Sequence, residues 1–368
     1  MRVAKTIRSR RRGTRHSRES GIALIVVMIA VLVLSLLAWK FAAYMKTEVT
    51  LARNSNNEAE LEWIGRSGVE YAKWVLAGNC NPYDALNQRW AGGSDDRCTN
   101  SPTPEATVTL GHGSFTWKIT DLESKANINM CVAQGGDRLL QQALVLAGVD
   151  AGEMPSISDA ILDWIDDNHA TRPNGAENDY YHGLNPPYDA KNGPVDDMSE
   201  LLLIRGVTPD VYWGPNSTNH QAGIIQQQLN RFGPQNAAGV QQNPVGLVDL
   251  FTPISTGRIN INTASSEVLQ LIPGIDAIMA QAIIDGRQGE DDGSGLLGPY
   301  PTVEAVRRIQ ITPMAMNAVR QFCTHESRNF QVEIDAKIDN YTRKFVAVIH
   351  RNDRRNARDI QTLTFYWK

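Results

Sequence analysis

An acidic stretch between residues 159 and 200 has the clearest capacity for chemistry in this sequence. Only Arg172 and Lys191 oppose its ten carboxylates, which are Asp159, Asp163, Asp166, Asp167, Glu177, Asp179, Asp189, Asp196, Asp197 and Glu200. Side-chain oxygens without thiolates favour a hard cation, and Ca²⁺ accepts about six to eight oxygen ligands in irregular loops. The composition of this stretch therefore indicates a cation site that suits calcium.

Two other interpretations of the acidic stretch remain open. The stretch could be a solvated loop that binds no ion, or His169 and His182 could join carboxylates in a zinc site. The spacing is not that of an EF-hand, because no D-x-[DN]-x-[DN]-G run is followed by Glu at the required position. The residues alone thus indicate a type of ligand without fixing its geometry.

A second motif, Leu271–Asp276, resembles a helix-hairpin-helix. In versions that bind DNA, the hairpin glycines let backbone amides approach a phosphate, and basic residues flank the hairpin. Here Asp276 replaces the second glycine, and nearby acids outnumber Arg258 and Arg287. We therefore predict a structural hairpin, with a membrane-anchored DNA-uptake receptor as the alternative function. Residues 201–207 match the same pattern less closely and suggest a second, related unit.

The charge balance and the missing catalytic motifs narrow the possible functions. The first 21 residues hold eight of the 36 basic residues and one of the 40 acidic residues, so the rest of the chain has a net charge near −11. This acidity argues against nucleic-acid binding, in which phosphate neutralisation drives affinity. The sequence contains no G-x-S-x-G, P-loop, H-E-x-x-H or C-x-x-C motif. We therefore expect that the protein is not an enzyme and has no nucleic-acid partner.

Four cysteines lie beyond the N-terminal apolar segment. An even number of cysteines in an oxidising compartment indicates disulfides. Cys80 and Cys98 flank a loop rich in Gly, Asn, Asp and Ser, so we predict a bond between them. Cys131 and Cys323 would then pair by elimination, unless they are free buried thiols.

The residues that follow the apolar segment predict a long helix that needs a sheet. From Lys40 to about Ala77, apolar residues recur at helical spacing, and no proline occurs before Pro82. This pattern continues the apolar segment as one helix, whose outer half must bury its apolar face. Alternating β-branched and aromatic residues predict strands at 106–110, 114–121, 329–338, 343–351 and 362–367, the first two forming a hairpin.

The sequence between these strand groups, from Ala133 to about Asn317, has a helical pattern with long loops. It predicts short helices at 141–146, 157–165, 198–204, 267–271 and 277–284. Because loop tips accept insertions readily, we interpret this part as a mainly helical domain inserted into an α/β sheet. Two similar phrases, Lys125–Asn129 and Arg258–Ala264, mark its expected borders.

The N-terminus combines a basic leader with an apolar segment. Ile22–Trp39 contains no charged residue, and as a helix it nearly spans a bilayer core. The leader before it has a net charge of +7, which by the positive-inside rule places the leader in the cytoplasm. A secretory signal has its small-residue cleavage site after the apolar core, whereas here the small residue, Gly21, precedes that core.

This junction resembles the class III signal of type IV pilins and type II secretion pseudopilins. In those families a prepilin peptidase cuts after the glycine and methylates the new amine, so the resemblance implies a cut between Gly21 and Ile22. Most such proteins carry Glu at the fifth mature position, where a carboxylate in hydrocarbon can pair with the amine of a neighbouring subunit. This chain has Val26 there. A subunit with no neighbour above it needs no such carboxylate, so Val26 fits a tip position.

Several phrases in this order are similar to the K-type minor pseudopilins of type II secretion. They are Lys125–Asn129, Asp163–Asp166, Gly175–Tyr181, Pro186–Tyr188 and Arg258–Ala264. The resemblance implies a subunit at the tip of the periplasmic pseudopilus, which supports protein export across the outer membrane. The implied partners are minor pseudopilins of the I and J types, the prepilin peptidase and the inner-membrane secretion assembly platform.

The expected fold class is α+β. A pilin-like long N-terminal helix packs on an antiparallel sheet, and a large, mainly α-helical inserted domain contains helix-hairpin-helix-like units. The expected parts are a basic prepilin leader (1–21), a transmembrane helix (22–45), the first part of the pseudopilin domain (46–132), the inserted domain (133–320) and the closing strands (321–368). The chain should cross the bacterial inner membrane once, with a cytoplasmic N-terminus and a periplasmic head.

The resemblance also bears on the metal. K-type pseudopilins carry calcium in their helical domain, so the family favours calcium over the other interpretations of the acidic stretch. The candidate ligands of a structural calcium ion are Asp163, Asp166, Asp167, Glu177, Asn178 and Asp179.

Overall fold

The computed structural model of the protein describes residues 19–94, 103–133, 135–216, 245–288, 298–353 and 356–368. Its first element is helix α1 (Glu19–Ala77), 59 residues long, which confirms the single long helix that the sequence predicts. The part of this helix that begins at Ile22 is long and apolar enough to cross a bilayer. The chain divides into two compact units, Met1–Glu62 and Trp63–Lys368, and the boundary falls within α1.

Strands of the second unit form a five-stranded antiparallel sheet in the order β1-β2-β7-β8-β9. In chain order the described strands are β1 (Thr107–Leu110), β2 (Gly113–Asp121), β3 (Ala126–Asn127), β4 (Phe251–Thr252), β5 (Ile259–Asn260), β6 (Cys323–Thr324), β7 (Asn329–Ile338), β8 (Tyr341–Arg351) and β9 (Ile360–Trp367). The hairpin of β1 and β2 and the three C-terminal strands are confirmed. The sheet is therefore built from segments on both sides of the helical part of the chain.

The Trp63–Ala77 part of α1 packs on one face of this sheet. Two glycines allow the helix to lie close to the strands. A Cβ on Gly65 would lie 2.5 Å from the ring of Phe345 on β8, and one on Gly68 would lie 2.8 Å from Ile334 on β7. Any larger side chain at these positions would push the helix away from the sheet, so the glycines fix the depth of this contact.

Between β2 and β7 the chain is mainly helical, as predicted. Its helices are α2 (Gly136–Leu146), α3 (Met154–Ile165), α4 (Asn178–Tyr181), α5 (Pro209–Trp213), α6 (Leu247–Leu250), α7 (Ser266–Leu269), α8 (Ala277–Gln288) and α9 (Pro313–Phe322). The helix predicted at 198–204 is a 3-10 helix, Met198–Leu203, which starts at a capping box of Asp197 and Glu200. This segment has a large apolar core of its own.

The two similar Asn-Ile-Asn phrases open two related units within the helical segment. Asn129 holds both backbone groups of Val195, accepting from its nitrogen at 2.7 Å and donating to its carbonyl at 3.0 Å. Asn262 holds Tyr300 in the same way, at 2.8 and 2.9 Å. The first phrase forms β3, which pairs in parallel with β4, and the second forms β5, which pairs in parallel with β6. The phrases thus begin successive units of similar construction.

Candidate functional site

The acidic stretch folds around the side chain of Arg172. Its Nη1 donates to Oδ1 of Asp163 at 2.6 Å and also makes a short ion pair with Asp166. The side chain of Asp163 is fully buried at the end of α3, and the backbone nitrogen of Arg172 also donates to it. Gly175 makes room for this contact, because a Cβ there would collide with the Asp163 carboxylate. The guanidinium therefore supplies the positive charge at the centre of the cluster.

Glu177 joins the same cluster through an amide. In the orientation that satisfies both ends of Asn192, its nitrogen donates to Oε2 of Glu177 at 3.1 Å and to the carbonyl of Asp163 at 3.3 Å, while its oxygen accepts from Nδ1 of His169. Burial raises the pKa of Glu177, and the charges of Asp163 and Asp166 act in the same direction. Burial also raises the pKa of Asp163, although its bonds to Arg172 oppose this effect. These carboxylates consequently favour a nearby cation.

The structure brings together three of the six candidate calcium ligands, Asp163, Asp166 and Glu177. Asp167 and Asp179 are exposed, and Oδ1 of Asn178 accepts from the backbone nitrogen of Ala190 at 2.7 Å. In the described part of the chain, no three His, Cys, Asp or Glu side chains are arranged so that they could hold a metal ion. The donor chemistry of the cluster suits a hard cation, but the guanidinium of Arg172 already pairs with Asp163 and Asp166.

The remaining acids of the stretch have separate partners. Lys191 pairs with Asp196 at 2.7 Å and with Glu200 at 2.8 Å. Nε2 of His182 lies 2.6 Å from Oδ1 of Asp189, whereas Nδ1 of His169 contacts the side-chain amide of Asn192. The two histidines therefore have different partners. The stretch that the sequence presents as one cluster is therefore divided into several local ion pairs.

The helix-hairpin-helix motif forms a hairpin whose groups are already used within the protein. Gly274 has a φ of +84°, a conformation that favours glycine. Asp276, which replaces the second glycine, accepts from the nitrogen of Met279 at 2.8 Å and so caps α8. Arg287 is buried and donates to the carbonyl of Ile261 at 2.7 Å. This arrangement confirms a structural hairpin and gives no support to DNA binding.

The cysteines follow the prediction only in part. Cys80 is disulfide-bonded. Its predicted partner, Cys98, lies outside the described residues, so that pairing stays a prediction. Cys131 and Cys323 are free buried thiols, and the bond predicted between them by elimination is wrong. Burial raises the pKa of each thiol to about 12. Small buried thiols pack as apolar side chains, which explains why their even number misled the prediction.

The sequence did not reveal a buried polar cluster at the junction between sheet and helical segment. Asp84 forms an ion pair with Arg351 at 2.5 Å, and both side chains are almost completely buried. Oδ2 of Asp121 accepts from Thr263 at 2.5 Å and from Ser327 at 2.6 Å. Burial raises the pKa of Asp121 to about 8, and the charge of Glu123 acts in the same direction.

This junction cluster is completed by amides and backbone groups. Asn260 donates to the carboxylate of Asp121 at 3.1 Å and to the hydroxyl of Ser327 at 2.7 Å. Glu123 accepts from the backbone nitrogen of Asn329 at 3.0 Å and from its side chain at 2.9 Å. The cluster therefore joins the end of β2, the second Asn-Ile-Asn phrase and the start of β7.

The anchor end of the chain carries the predicted processing site. Gly21 and Ile22 lie in the first turn of α1, directly before the apolar run. Ile22 to Trp39 is fully uncharged, and the large apolar side chains of this run are all strongly exposed. Such exposure over so long a helix requires an apolar environment.

The comparisons with known proteins agree with one another. Residues 124–213 match a family model described as type II secretion system protein K. Type II secretion system protein K of Aeromonas hydrophila is 25% identical over 292 residues, which cover 71% of this chain and 85% of the relative. The protein of that name from Pseudomonas aeruginosa is 22% identical over 293 residues, 74% of this chain and 75% of the relative.

A solved structure shows the same fold. A chain in the crystal structure of the GspK-GspI-GspJ complex from the enterotoxigenic Escherichia coli type 2 secretion system matches with a TM-score of 0.61 and 17% identity. The match covers 86% of this chain and 99% of that chain. It confirms the expected α+β fold class, with a long N-terminal helix, an antiparallel sheet and many helices. The chain is therefore similar in sequence to type II secretion system protein K, and it shares the fold of a chain in the GspK-GspI-GspJ complex.

Proposed function

We propose that this chain forms the tip of the periplasmic pseudopilus and there supports protein export across the outer membrane. The observation that carries the proposal is the large helical segment between β2 and β7. A pseudopilin must present its top to the next subunit if the filament is to grow past it. A head that carries so much additional structure would obstruct that subunit, so the chain suits the end of the filament. The role is one of assembly rather than catalysis.

Val26, the residue at the fifth mature position, also supports a place at the end of the filament. The apolar run from Ile22 to Trp39 contains no carboxylate. A charged amine within hydrocarbon needs a counter-charge, and this chain cannot supply one to a subunit stacked above it. A tip subunit has no subunit stacked above it, so the absence of a carboxylate leaves no charged amine without a partner.

The proposed topology follows from charge and hydropathy. The basic leader stays in the cytoplasm, α1 crosses the inner membrane once, and the acidic head lies in the periplasm. A prepilin peptidase removes residues 1–21 and methylates Ile22, and the chain then joins the inner-membrane assembly platform. The proposed partners at the tip are minor pseudopilins of the I and J types, which are the kinds named in the complex of the structural relative.

We expect labelled protein to lie at one end of isolated pseudopili. An epitope tag after Lys368 can be located by immunogold electron microscopy on filaments that also carry a label on the major pseudopilin. The tip role predicts gold at a single terminus, whereas the major subunit should be labelled along the whole length. Gold distributed along the filament would overturn the tip assignment.

We also propose that the cluster around Arg172 binds calcium. Asp163, Asp166 and Glu177 would hold the ion after their side chains move closer together, since as they stand no three such side chains of the described residues are arranged to hold a metal. The double charge of the ion would stabilise the carboxylates of Asp163 and Asp166, which now share the guanidinium of Arg172. Binding would require Arg172 to leave Asp163 and Asp166. The side chain of Arg172 is 31% exposed, so it has a route to solvent. The support for this proposal is the chemistry of the donors and the raised pKa values of Asp163 and Glu177.

Calcium should raise the melting temperature of the full-length protein in detergent. A ligand that binds only the folded state contributes about 2.7 kcal/mol when its concentration is a hundred times its Kd. Glu177→Gln should reduce this gain, while Asp189→Asn, in the same stretch but paired with His182, should leave it unchanged. Equal melting temperatures in chelator and in millimolar calcium would exclude the ion.

A further inference from the structure

One buried arginine of the helical segment lacks a counter-charge. Arg287, in the last turn of α8, is only 8% exposed. Its Nη1 donates to the carbonyl of Ile261 at 2.7 Å, and within the described residues this is the one hydrogen bond of its side chain. A guanidinium has five N–H groups, so most of those of Arg287 have no partner there. Buried charges are normally paired, which makes this arginine a candidate for a ligand.

Within the described ranges, no carboxylate pairs with Arg287. Arg351, which is also buried, forms an ion pair with Asp84. The acidic residue nearest to Arg287 on α8 is Asp285, two positions earlier, and residues two apart on a helix do not face each other. Asp285 is exposed and accepts from the side chain of Gln281 at 2.7 Å. The charge of Arg287 is therefore not balanced on its own helix.

The surroundings of Arg287 disfavour its positive charge. Burial lowers the pKa of Arg287 to about 10, and among the described residues only the phenol of Tyr300 acts in the opposite direction. That phenol donates to the carbonyl of Ile283 at 3.0 Å, and burial raises its own pKa, so it is neutral near pH 7. The carbonyls at the end of α8 also favour a cation, but less than a full negative charge would. Arg287 thus stays charged where a bound anion would stabilise it.

The side chain of Arg287 borders a small cavity of about 270 Å³. One side of the cavity is lined by Ala85, Leu86 and Asn87, and the other by Asn262, Arg287 and Gln288. None of the residues that line it is acidic. Leu86, Asn87 and Gln288 are exposed, so the cavity opens to solvent. A ligand from outside can therefore reach the guanidinium.

The lining indicates which anion fits. The planar fork of a guanidinium matches the two oxygens of a carboxylate. One guanidinium balances one negative charge, which suits a carboxylate better than a phosphate group with its charge of nearly −2. Ala85, Leu86 and Pro299 form an apolar wall, against which a short aliphatic stem can pack. The cavity is therefore complementary to a carboxylate on such a stem.

We propose that this cavity binds a carboxylate group, which the guanidinium of Arg287 holds through two parallel hydrogen bonds. Two sources offer this group: an acidic side chain of another protein, and a small free carboxylate. Both present the same atoms to Arg287. The inference goes beyond the proposed function, because neither the tip position nor the cluster around Arg172 uses this cavity.

Thermal unfolding of the full-length protein in detergent tests the site, with propionate as the probe. Propionate is a monoanionic carboxylate on a short aliphatic stem. At millimolar concentrations it should raise the melting temperature by about 2 °C or more above the value in chloride of equal ionic strength. Propionamide has nearly the same shape without the charge and should give no such rise. Phosphate should stabilise the protein less than propionate does.

A pair of arginine variants links the effect to the cavity. Arg287→Gln should lose the response to propionate, because the amide cannot supply the charge. Arg320→Gln should keep it, since Arg320 lies on α9 with a partly exposed side chain that pairs with Glu304 at 2.7 Å. If Arg287→Gln does not fold, the comparison of propionate with propionamide on the wild type still decides whether a carboxylate binds.

Photocrosslinking in cells separates the two sources of the carboxylate. A benzoylphenylalanine at Leu86, which is 49% exposed at the mouth of the cavity, should crosslink to a segment of another protein that contains Asp or Glu if a side chain fills the site. If the ligand is a free carboxylate, the same probe should give no crosslink to protein, while propionate still stabilises the wild type.

Four results would overturn the proposal. Equal melting temperatures in propionate, propionamide and chloride would exclude a carboxylate, and a larger gain in phosphate would assign a different anion. An unchanged response of Arg287→Gln would place the ligand elsewhere. A crosslink from Leu86 to residues 289–297 of the same chain, which include Glu290, Asp291 and Asp292, would show that the chain supplies its own carboxylate. None of these results would affect the proposed tip position.

Discussion

Replacing Gly21 with Val is expected to leave the chain as an uncleaved precursor. The expected cut lies between Gly21 and Ile22, in the first turn of α1. A peptidase must open this turn and bring the backbone close to its catalytic groups. Glycine favours both steps, because it destabilises a helix by about 1 kcal/mol relative to alanine and has no side chain to obstruct the approach. A β-branched residue would obstruct that approach.

Mass spectrometry of membrane-extracted protein provides the measurement. The wild-type chain should begin at N-methylated Ile22 and lack the first 21 residues, whereas Gly21→Val should retain Met1. Gly13→Val is the matched control, since it makes the same change within the leader and should still be processed. An intact wild-type precursor, or normal cleavage of Gly21→Val, would contradict the class III assignment of the junction.

Elements that depend on local pattern could be predicted from the sequence. The hairpin of β1 and β2 follows from alternation on both sides of a short turn, and α1 follows from apolar spacing that no proline interrupts. The extent of β7 at Asn329–Ile338 agrees with the prediction to the residue. In each case the residues that decide the structure are neighbours in the chain.

Contacts between distant residues could not be predicted in this way. Asp84 and Arg351 are separated by 267 positions, and nothing in the sequence near either residue indicates their pairing. The acidic stretch shows the same limit, because its carboxylates suggested one shared ion. In the fold they lie in separate groups, one around Arg172 and one around Lys191. Composition therefore indicated which charges needed partners, but only the tertiary structure determined which partner each one found.

The junction cluster offers the largest expected effect on stability. Arg351 is buried, pairs with Asp84 at 2.5 Å and donates to the carbonyl of Ser327. Its guanidinium also lies 5.0 Å from the centre of the Phe330 ring. Removing one partner of a buried ion pair costs about 3 to 5 kcal/mol, because the other charge stays buried without compensation. Arg351→Met should therefore destabilise the head by an amount comparable to a large part of its total stability.

Urea unfolding of the full-length protein in detergent, followed by tryptophan fluorescence, can measure this loss. Lys344→Met is the matched control on the same strand. Its ammonium pairs with Glu333 at 3.4 Å in a partly exposed position, where such pairs contribute at most about 1 kcal/mol.

The double variant Asp84→Leu/Arg351→Met should recover part of the loss, because no buried charge is left unpaired. If Arg351→Met and Lys344→Met unfolded at the same urea concentration, the ion pair would not hold the junction together. A selective loss at Arg351 would show that this buried ion pair, with the contact of Arg351 to Ser327, contributes substantially to the stability of the head.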